Sequence, residues 1–383
     1  MAPSFFFSGP TLTLQASDQG DLIEGSLARR EALLADVERC LARGQAGPAP
    51  VVVGAVPFCE RAPVRLFCPT RVERTGRWSV PPAMASVPLP PTTPLPERQA
   101  VSAVTARHSE PFLSAVRGAV EQIQRGELRK VVLSRVREVP LATCPSPLGL
   151  LRRLRARNPS GFAFALELAR RDEGPADVLL GASPELLVSR RGLRLVSSPL
   201  AGSVPRSPDP AEDRARAEGL LKSRKDRHEH QLVVEQIVED LRPFARQLRA
   251  EREPLIASTA ALHHLSTRVE GTLRDPSVSA LRLALALHPT PAVCGTPTAA
   301  ARAFIAEREG FDRGYFTGTL GHVDSRGDGD WIVTIRCAEL GPTRARVFAG
   351  AGIVGSSVAE RELDETNVKM QTMLDALGVE GSA

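Results

Sequence analysis

A chain of 383 residues, 42% hydrophobic and 24% charged, has the balance of an ordinary globular protein with a sizeable core. Its formal net charge of +5 is not a nucleic-acid footprint: Lys and Arg alternate with Asp and Glu, no basic block stands out, and aromatic residues make up only 4%. No stretch approaches the roughly 20 uninterrupted apolar residues that span a bilayer, so no membrane partner is expected, and the surplus charge suits an anionic small molecule.

The opening MAPSFFFSGP has no basic n-region and an apolar run of only three phenylalanines, so it does not read as a signal peptide. Residues 28–43 carry Leu33, Leu34, Val37 and Leu41 on one helical face, and PVVVGAVPF after them reads as a buried strand. PPAMASVPLPPTTPLP, Pro81 to Pro96, allows neither regular helix nor central strand and reads as an extended connector. It closes an N-terminal segment, 1–97, and leads into a body, 98–383, within one domain. The body opens with an amphipathic helix, PFLSAVRGAVEQIQRGE, and an alternating β-branched strand, KVVLSRVREV. GFAFALELA and DVLLGASPELLVSRRGLRLVSSPLAGS read as further strands with tight turns. A long helix is expected from Pro210 to Leu248, with Leu220, Leu221, Val233, Val234, Ile237, Val238 and Leu241 on its inner face. GYFTGTLGHVD and DWIVTIRCAEL read as strands around a turn-rich SRGDGD hairpin, RVFAGAGIV as another strand, and AERELDETNVKMQTMLDAL as a closing helix. There is no internal repeat. Strands joined by hairpins with a few long helices give an α+β class with antiparallel sheets. The six cysteines (Cys40, Cys59, Cys68, Cys144, Cys294 and Cys337) include no C-x-x-C pair, which fits reduced thiols in the cytoplasm.

Several stretches have the residue types for chemistry. In KSRKDRHEHQLV, two histidines flank Glu229, but positions i and i+2 of a helix point apart, so His228 and His230 are poor joint ligands and the glutamate is the better metal candidate. Glu362 and Glu365, three apart, share a helix side and could hold a divalent cation through oxygen. From spacing alone, a solvated acidic face is the simpler reading. Asp324, Asp328 and Asp330 of DSRGDGD lack the terminal glutamate of a calcium loop, so a hairpin turn is the better reading. Ala349 to Gly352, AGAG, could let backbone N–H groups approach an anion. Lys130, at the head of the apolar run VVL, could act as a general base if kept from water, although a strand-end lysine in solvent has the same sequence.

Together these stretches resemble the chorismate-utilising enzymes, most closely the isochorismate synthases. The resemblance rests on FFFSGP, GAVPF, KVVLSR, GASPELLV, PLAGSVPR, KDRHEH, LHPTPAVCGTP, FDRGYFTGTLGHVDSRGDGDWIVTIRCAEL, FAGAGIV and ERELDETNVK, in family order over most of the chain. It implies an anthranilate synthase component I-like fold: large antiparallel sheets with flanking helices. It implies chorismate as substrate and Mg2+ as cofactor. Lys130 matches the base that activates water for attack at C2, and Glu185 the acid that protonates the departing C4 hydroxyl. Glu229, Glu362 and Glu365 match the carboxylates around the Mg2+ ion. Arg336 and Lys369 match carboxylate-binding cations, Gly352 a backbone donor, and Gly202 and His264 further pocket positions.

Anthranilate synthases have glutamine where Lys130 stands. Aminodeoxychorismate synthases carry a nucleophilic lysine in PIKGT, where this chain has PLAGS with Ala201. Both differences point to water as nucleophile. Cys59 stands where the family often has aspartate, and Ser203 where many relatives have threonine, as in siderophore-type isochorismate synthases. The resemblance thus implies an isochorismate synthase feeding siderophore or menaquinone synthesis. It is expected as a monomer, with a downstream isochorismate-using enzyme as the partner to consider. The alternatives are a salicylate synthase, which shares the lysine and acid but expels pyruvate, and a non-catalytic basic binding protein of the same fold.

Overall fold

The computed structural model describes residues 3–43, 50–78, 99–168 and 176–379. The proline-rich connector expected at 81–96 lies outside the described residues. Two nine-stranded sheets carry the fold. The first runs, in spatial order, Gly295–Thr296, Lys130–Pro140, Arg344–Ile353, Cys337–Leu340, Val178–Ser183, Phe162–Glu167, Phe5–Ser8, Thr13–Ala16, Val72–Thr75. The second runs Ala245–Ala250, Val269–Leu273, Arg194–Ser198, Leu186–Arg191, Gly329–Val333, Thr319–Asp324, Val51–Val56, Arg65–Cys68, Asp21–Ile23. A small third sheet joins Leu200–Pro205, Leu262–Ser266 and Leu255–Ser258. The antiparallel pairing expected from the hairpin-rich sequence holds across them, as in Lys130–Pro140 against Arg344–Ile353 and Val51–Val56 against Thr319–Asp324.

Strand alternation builds four layers. Val51, Val53 and Ala55 join Phe5, Phe7, Phe164 and Leu179 in an apolar core between the two large sheets. Val52 and Val56 point the other way, under Val233, Ile237 and the largely buried helix Ala280–Leu287. On the outer face of the first sheet, Leu180 and Val347 pack against Leu150, Leu151 and Leu154 of the helix Pro147–Arg157 and against Met370, Met373 and Leu374 of the last helix. A strand buried on both faces needs apolar residues throughout, which is why VVVGAV shows no polar alternation. Among the described residues no helix is long and apolar enough to cross a membrane.

Three sequence expectations are corrected. The helix expected from Pro210 to Leu248 is two helices, Pro210–Lys222 and Arg224–Leu241, and Ala245–Ala250 is an edge strand of the second sheet. Ser223 sits extended between the helices and its hydroxyl accepts from the Asp226 N–H, while Pro243 prevents the helix from continuing. DWIVTIRCAEL is two strands in different sheets, Gly329–Val333 and Cys337–Leu340, because the chain turns at Arg336, whose φ is +52°. In GYFTGTLGHVD the strand starts only at Thr319, after a turn that includes Thr317 at φ +59°. The DSRGDGD stretch is the tight hairpin expected: Asp324 accepts from the Arg326 and Asp328 N–H groups, and Asp328 from that of Gly192.

Candidate active site

The chain crosses between layers next to one cavity. From Val178–Ser183 in the first sheet it passes through Pro184 and Glu185 into Leu186–Arg191 of the second. From Gly329–Val333 it returns through Arg336 into Cys337–Leu340. The Ser183 hydroxyl donates to the Val333 carbonyl at 2.6 Å, tying the two crossings together. Strand ends free of ladder hydrogen bonds can aim side chains at a ligand, and here they aim Glu185 and Arg336 into the cavity. The third sheet adds Ala201, Gly202, Ser203 and His264, the first sheet adds Gly350 and Gly352, and the helices add Glu229, Glu365 and Lys369.

Lys130 is fully buried, with its Nζ 3.0 Å from Glu229 Oε1, so the solvent-exposed reading of this lysine does not hold. Gly352 lies in the strand opposite Val132, and a Cβ there would fall 2.2 Å from Glu229 Oε1 and 3.2 Å from the Lys130 side chain. What this residue gives the site is room for that ion pair. Glu185 is 3% exposed and accepts from the Leu200 N–H at 3.4 Å. Burial pushes its carboxyl up to about 7, against the opposing pull of the Leu200 N–H, Lys130, Arg336 and Lys369.

Arg336 is buried, and its Nη2 donates to His264 Nε2 at 3.2 Å. Guanidinium can only donate, so Nε2 accepts and the ring proton sits on Nδ1, on the side where the imidazole meets the Gly202 backbone. Burial, then Arg336 and Lys369, hold His264 well below the usual imidazole range, so it stays neutral. Burial also lowers Arg336 to about 10, with Glu365 and Glu185 working the other way. Gly202 has φ +73°, and a Cβ there would sit 2.9 Å from Asp226.

Each of the three carboxylates expected around a metal meets a lysine. Glu229 pairs with Lys130, Glu362 Oε1 with Lys225 Nζ at 3.0 Å, and Glu365 Oε1 with Lys369 Nζ at 2.5 Å. Lys369 also donates to the Gly350 carbonyl, and Ser203 donates to Glu365 at 3.0 Å. The Lys225–Glu362 pair joins the Arg224–Leu241 helix to the last helix, the meeting that the expected metal set requires. Glu362 is 2% exposed, so it is no solvated face. Burial, then Glu365, raises its pKa. Burial would raise Glu365 too, but Lys369 and Ser203 outweigh it and lower the carboxyl. Among the described residues no three His, Cys, Asp or Glu side chains are grouped closely enough to enclose a metal ion. The three glutamates nevertheless bear on one shared cation. Burial disfavours the charge of Lys225, yet Glu362, Glu229 and Glu365 together raise its pKa.

Eight of the ten residues expected from the sequence line the cavity; Lys130 reaches it through Glu229, whereas Glu362, paired with Lys225, is not part of the lining. His228 is exposed, and His230 is buried against the Thr267 hydroxyl at 2.7 Å, so neither is a joint metal ligand. Three features escaped sequence reasoning. Lys225 belongs to KDRHEH but has no distinguishing spacing. Phe316 and Phe348, stacked at 5.0 Å, form the apolar wall from separate segments. Arg313 and Glu309, both buried, form an ion pair behind the wall.

The family model described as chorismate binding enzyme matches residues 85–378. The chain is 46% identical over 341 residues to isochorismate synthase DhbC of Bacillus subtilis (strain 168), covering 86% of this chain and 81% of that protein. It is 39% identical to isochorismate synthase EntC of Escherichia coli (strain K12), covering 99% of this chain and 96% of that one. A crystal structure of DhbC from Bacillus anthracis superposes with a TM-score of 0.89 at 43% identity, covering 99% of this chain and 97% of that chain. Anthranilate synthase component I from Streptococcus pneumoniae shares the fold, with a TM-score of 0.67 at 22% identity, covering 97% and 90%.

Proposed function

The chain belongs to the chorismate binding enzyme family, and from that premise we propose that it is an Mg2+-dependent isochorismate synthase feeding siderophore or menaquinone synthesis. The observation that carries the reading is a buried lysine and a buried carboxyl serving one cavity that also holds two further cations, Arg336 and Lys369. Arg336 and Lys369 bind and orient the substrate's carboxylates; only guanidinium offers a planar fork, so lysine at 336 is no equivalent. Lys130 takes a proton from the water that bonds to C2. The diene electrons shift, the C4–O bond breaks, and Glu185 gives its proton to the departing hydroxyl. One water enters and one leaves, so the net change is an isomerisation. Burial keeps Glu185 in the protonated form that this step needs near neutrality.

Glu229, Glu362 and Glu365 are the residues that would hold Mg2+. They offer the hard carboxylate oxygens this ion prefers, and each already balances a cation, Glu229 with Lys130, Glu362 with Lys225 and Glu365 with Lys369, so their chemistry suits a divalent ion. When bound, Mg2+ supplies a positive anchor for a substrate carboxylate. The six cysteines are free thiols, which supports assigning the protein to the cytoplasm.

The test is product analysis. Purified protein with chorismate and Mg2+ is expected to give isochorismate without pyruvate, and EDTA to stop turnover. Lys130→Ala and Glu185→Gln are each expected to lower turnover by at least about a hundredfold while the fold is kept. Stoichiometric pyruvate release would replace the reading with salicylate synthase. A salt-sensitive DNA shift without turnover would replace it with a binding protein.

A further inference from the structure

The three glutamates expected to hold the metal each carry a lysine, but the three lysines differ in what else secures them. The Lys130 side chain is 1% exposed, enclosed beside Gly352. Lys369 is anchored twice, on Glu365 and on the Gly350 carbonyl. Lys225 stands at the start of the Arg224–Leu241 helix with 38% of its side chain exposed, while its Glu362 partner is 3% exposed. Among the described residues its ammonium hydrogen-bonds only to Glu362. A buried carboxylate left alone is costly, so the pair suits a protein without metal. A divalent cation on the same oxygens makes that lysine redundant and repels it, and of the three lysines only Lys225 has a short, open path to solvent.

We propose that Lys225 is an internal stand-in for the divalent cation: it neutralises Glu362 in the metal-free protein and swings into solvent when the ion binds. This rests on the Mg2+ reading of Glu229, Glu362 and Glu365. Metal affinity is then set partly by the ion pair that must break, and the empty cluster stays ordered instead of splaying by charge repulsion.

The test uses the full chain stripped of metal, without substrate. Mg2+ is titrated by calorimetry into wild type, Lys225→Met and, as a charge control, the exposed Lys222→Met. Lys225→Met is expected to bind Mg2+ on the order of tenfold more tightly, and Lys222→Met to match wild type within about twofold. In wild type, labelling of Lys225 by an amine-reactive reagent, read by mass spectrometry, is expected to rise severalfold with saturating Mg2+ while Lys222 does not change. Unchanged Lys225 labelling in protein that binds Mg2+ overturns the proposal even if Lys225→Met binds more tightly, because simple loss of positive charge would do that. This arm needs no variant and survives a folding failure. Wild type that binds no Mg2+ by calorimetry, with the substrate absent, overturns the proposal, whereas the Mg2+ reading itself fails only if turnover of chorismate survives EDTA, so the two failures are distinguishable.

Discussion

At the scale of single residues, the site spends stability on reactivity. Glu185 is held in a place that suits its neutral form, so its pKa of about 7 lies above the ordinary value of 4.5. The sign follows by linkage: in the window between those values the folded state binds more protons than the unfolded state, so stability falls as pH rises through it. Glu185→Gln keeps the shape and the acceptor for the Leu200 N–H but cannot ionise. We expect the variant to be more stable than wild type by about 3 kcal/mol at pH 8, the gain fading to near zero by pH 4. Chemical denaturation across that pH range checks it; a gain that grows toward acid would contradict the burial argument. Wild-type turnover is expected to decline above about pH 7 as Glu185 ionises, read from the pH dependence of kcat.

At the scale of elements, the break at Ser223 matters most. Because the chain is extended there, the second helix starts afresh, with Ser223 capping it and Lys225 in its first turn facing the last helix. Ser223→Ala removes the bond to the Asp226 N–H and is expected to cost about 1 kcal/mol, seen as a lower melting temperature. The sequence hides this break, since Leu220 and Val233 keep an apolar face on both sides and serine is compatible with a helix. The closing helix, by contrast, is legible end to end: its period runs through Met370, Met373 and Leu374, and Gly378 at φ +73° stops it. The helix Ala280–Leu287, ALRLALAL, spans only eight residues with Arg282 as its one polar position, too short a run to separate from a buried strand by pattern. The site itself was legible chiefly through family resemblance. Spacing in one dimension could pair Glu362 with Glu365, but could not bring Glu229, Lys130 and Gly352 within contact.

At the scale of the whole molecule, Arg313 joins parts of the chain that sequence order keeps far apart. Its guanidinium donates to Glu309 and to the carbonyls of Val132 and Val293, and it lies 4.3 Å from the Phe58 ring centroid. Glu309 in turn accepts from the Ser134 N–H. Val132 and Val293 line the cavity, so this hidden pair braces the active-site wall from behind. Arg313→Met leaves Glu309 buried without its cation and is expected to destabilise by about 3–5 kcal/mol, measured by urea denaturation. If the double variant Arg313→Met, Glu309→Leu recovers stability but not turnover, the pair serves wall geometry more than stability.

The weaving of the first residues into both large sheets has a consequence for birth on the ribosome. Phe7 lies opposite Phe164, and Val53 opposite His322, a partner made about 270 residues later. At roughly 5–20 residues per second, the Val51–Val56 strand, apolar on both faces, gains Arg65–Cys68 early but waits on the order of tens of seconds for its second neighbour. For that interval its far side is a sticky nascent edge, and a molecule that finishes synthesis must add a late strand, Thr319–Asp324, to an early one already paired with Arg65–Cys68. Slowing translation late in the message should therefore lower the yield of native protein more than slowing it early.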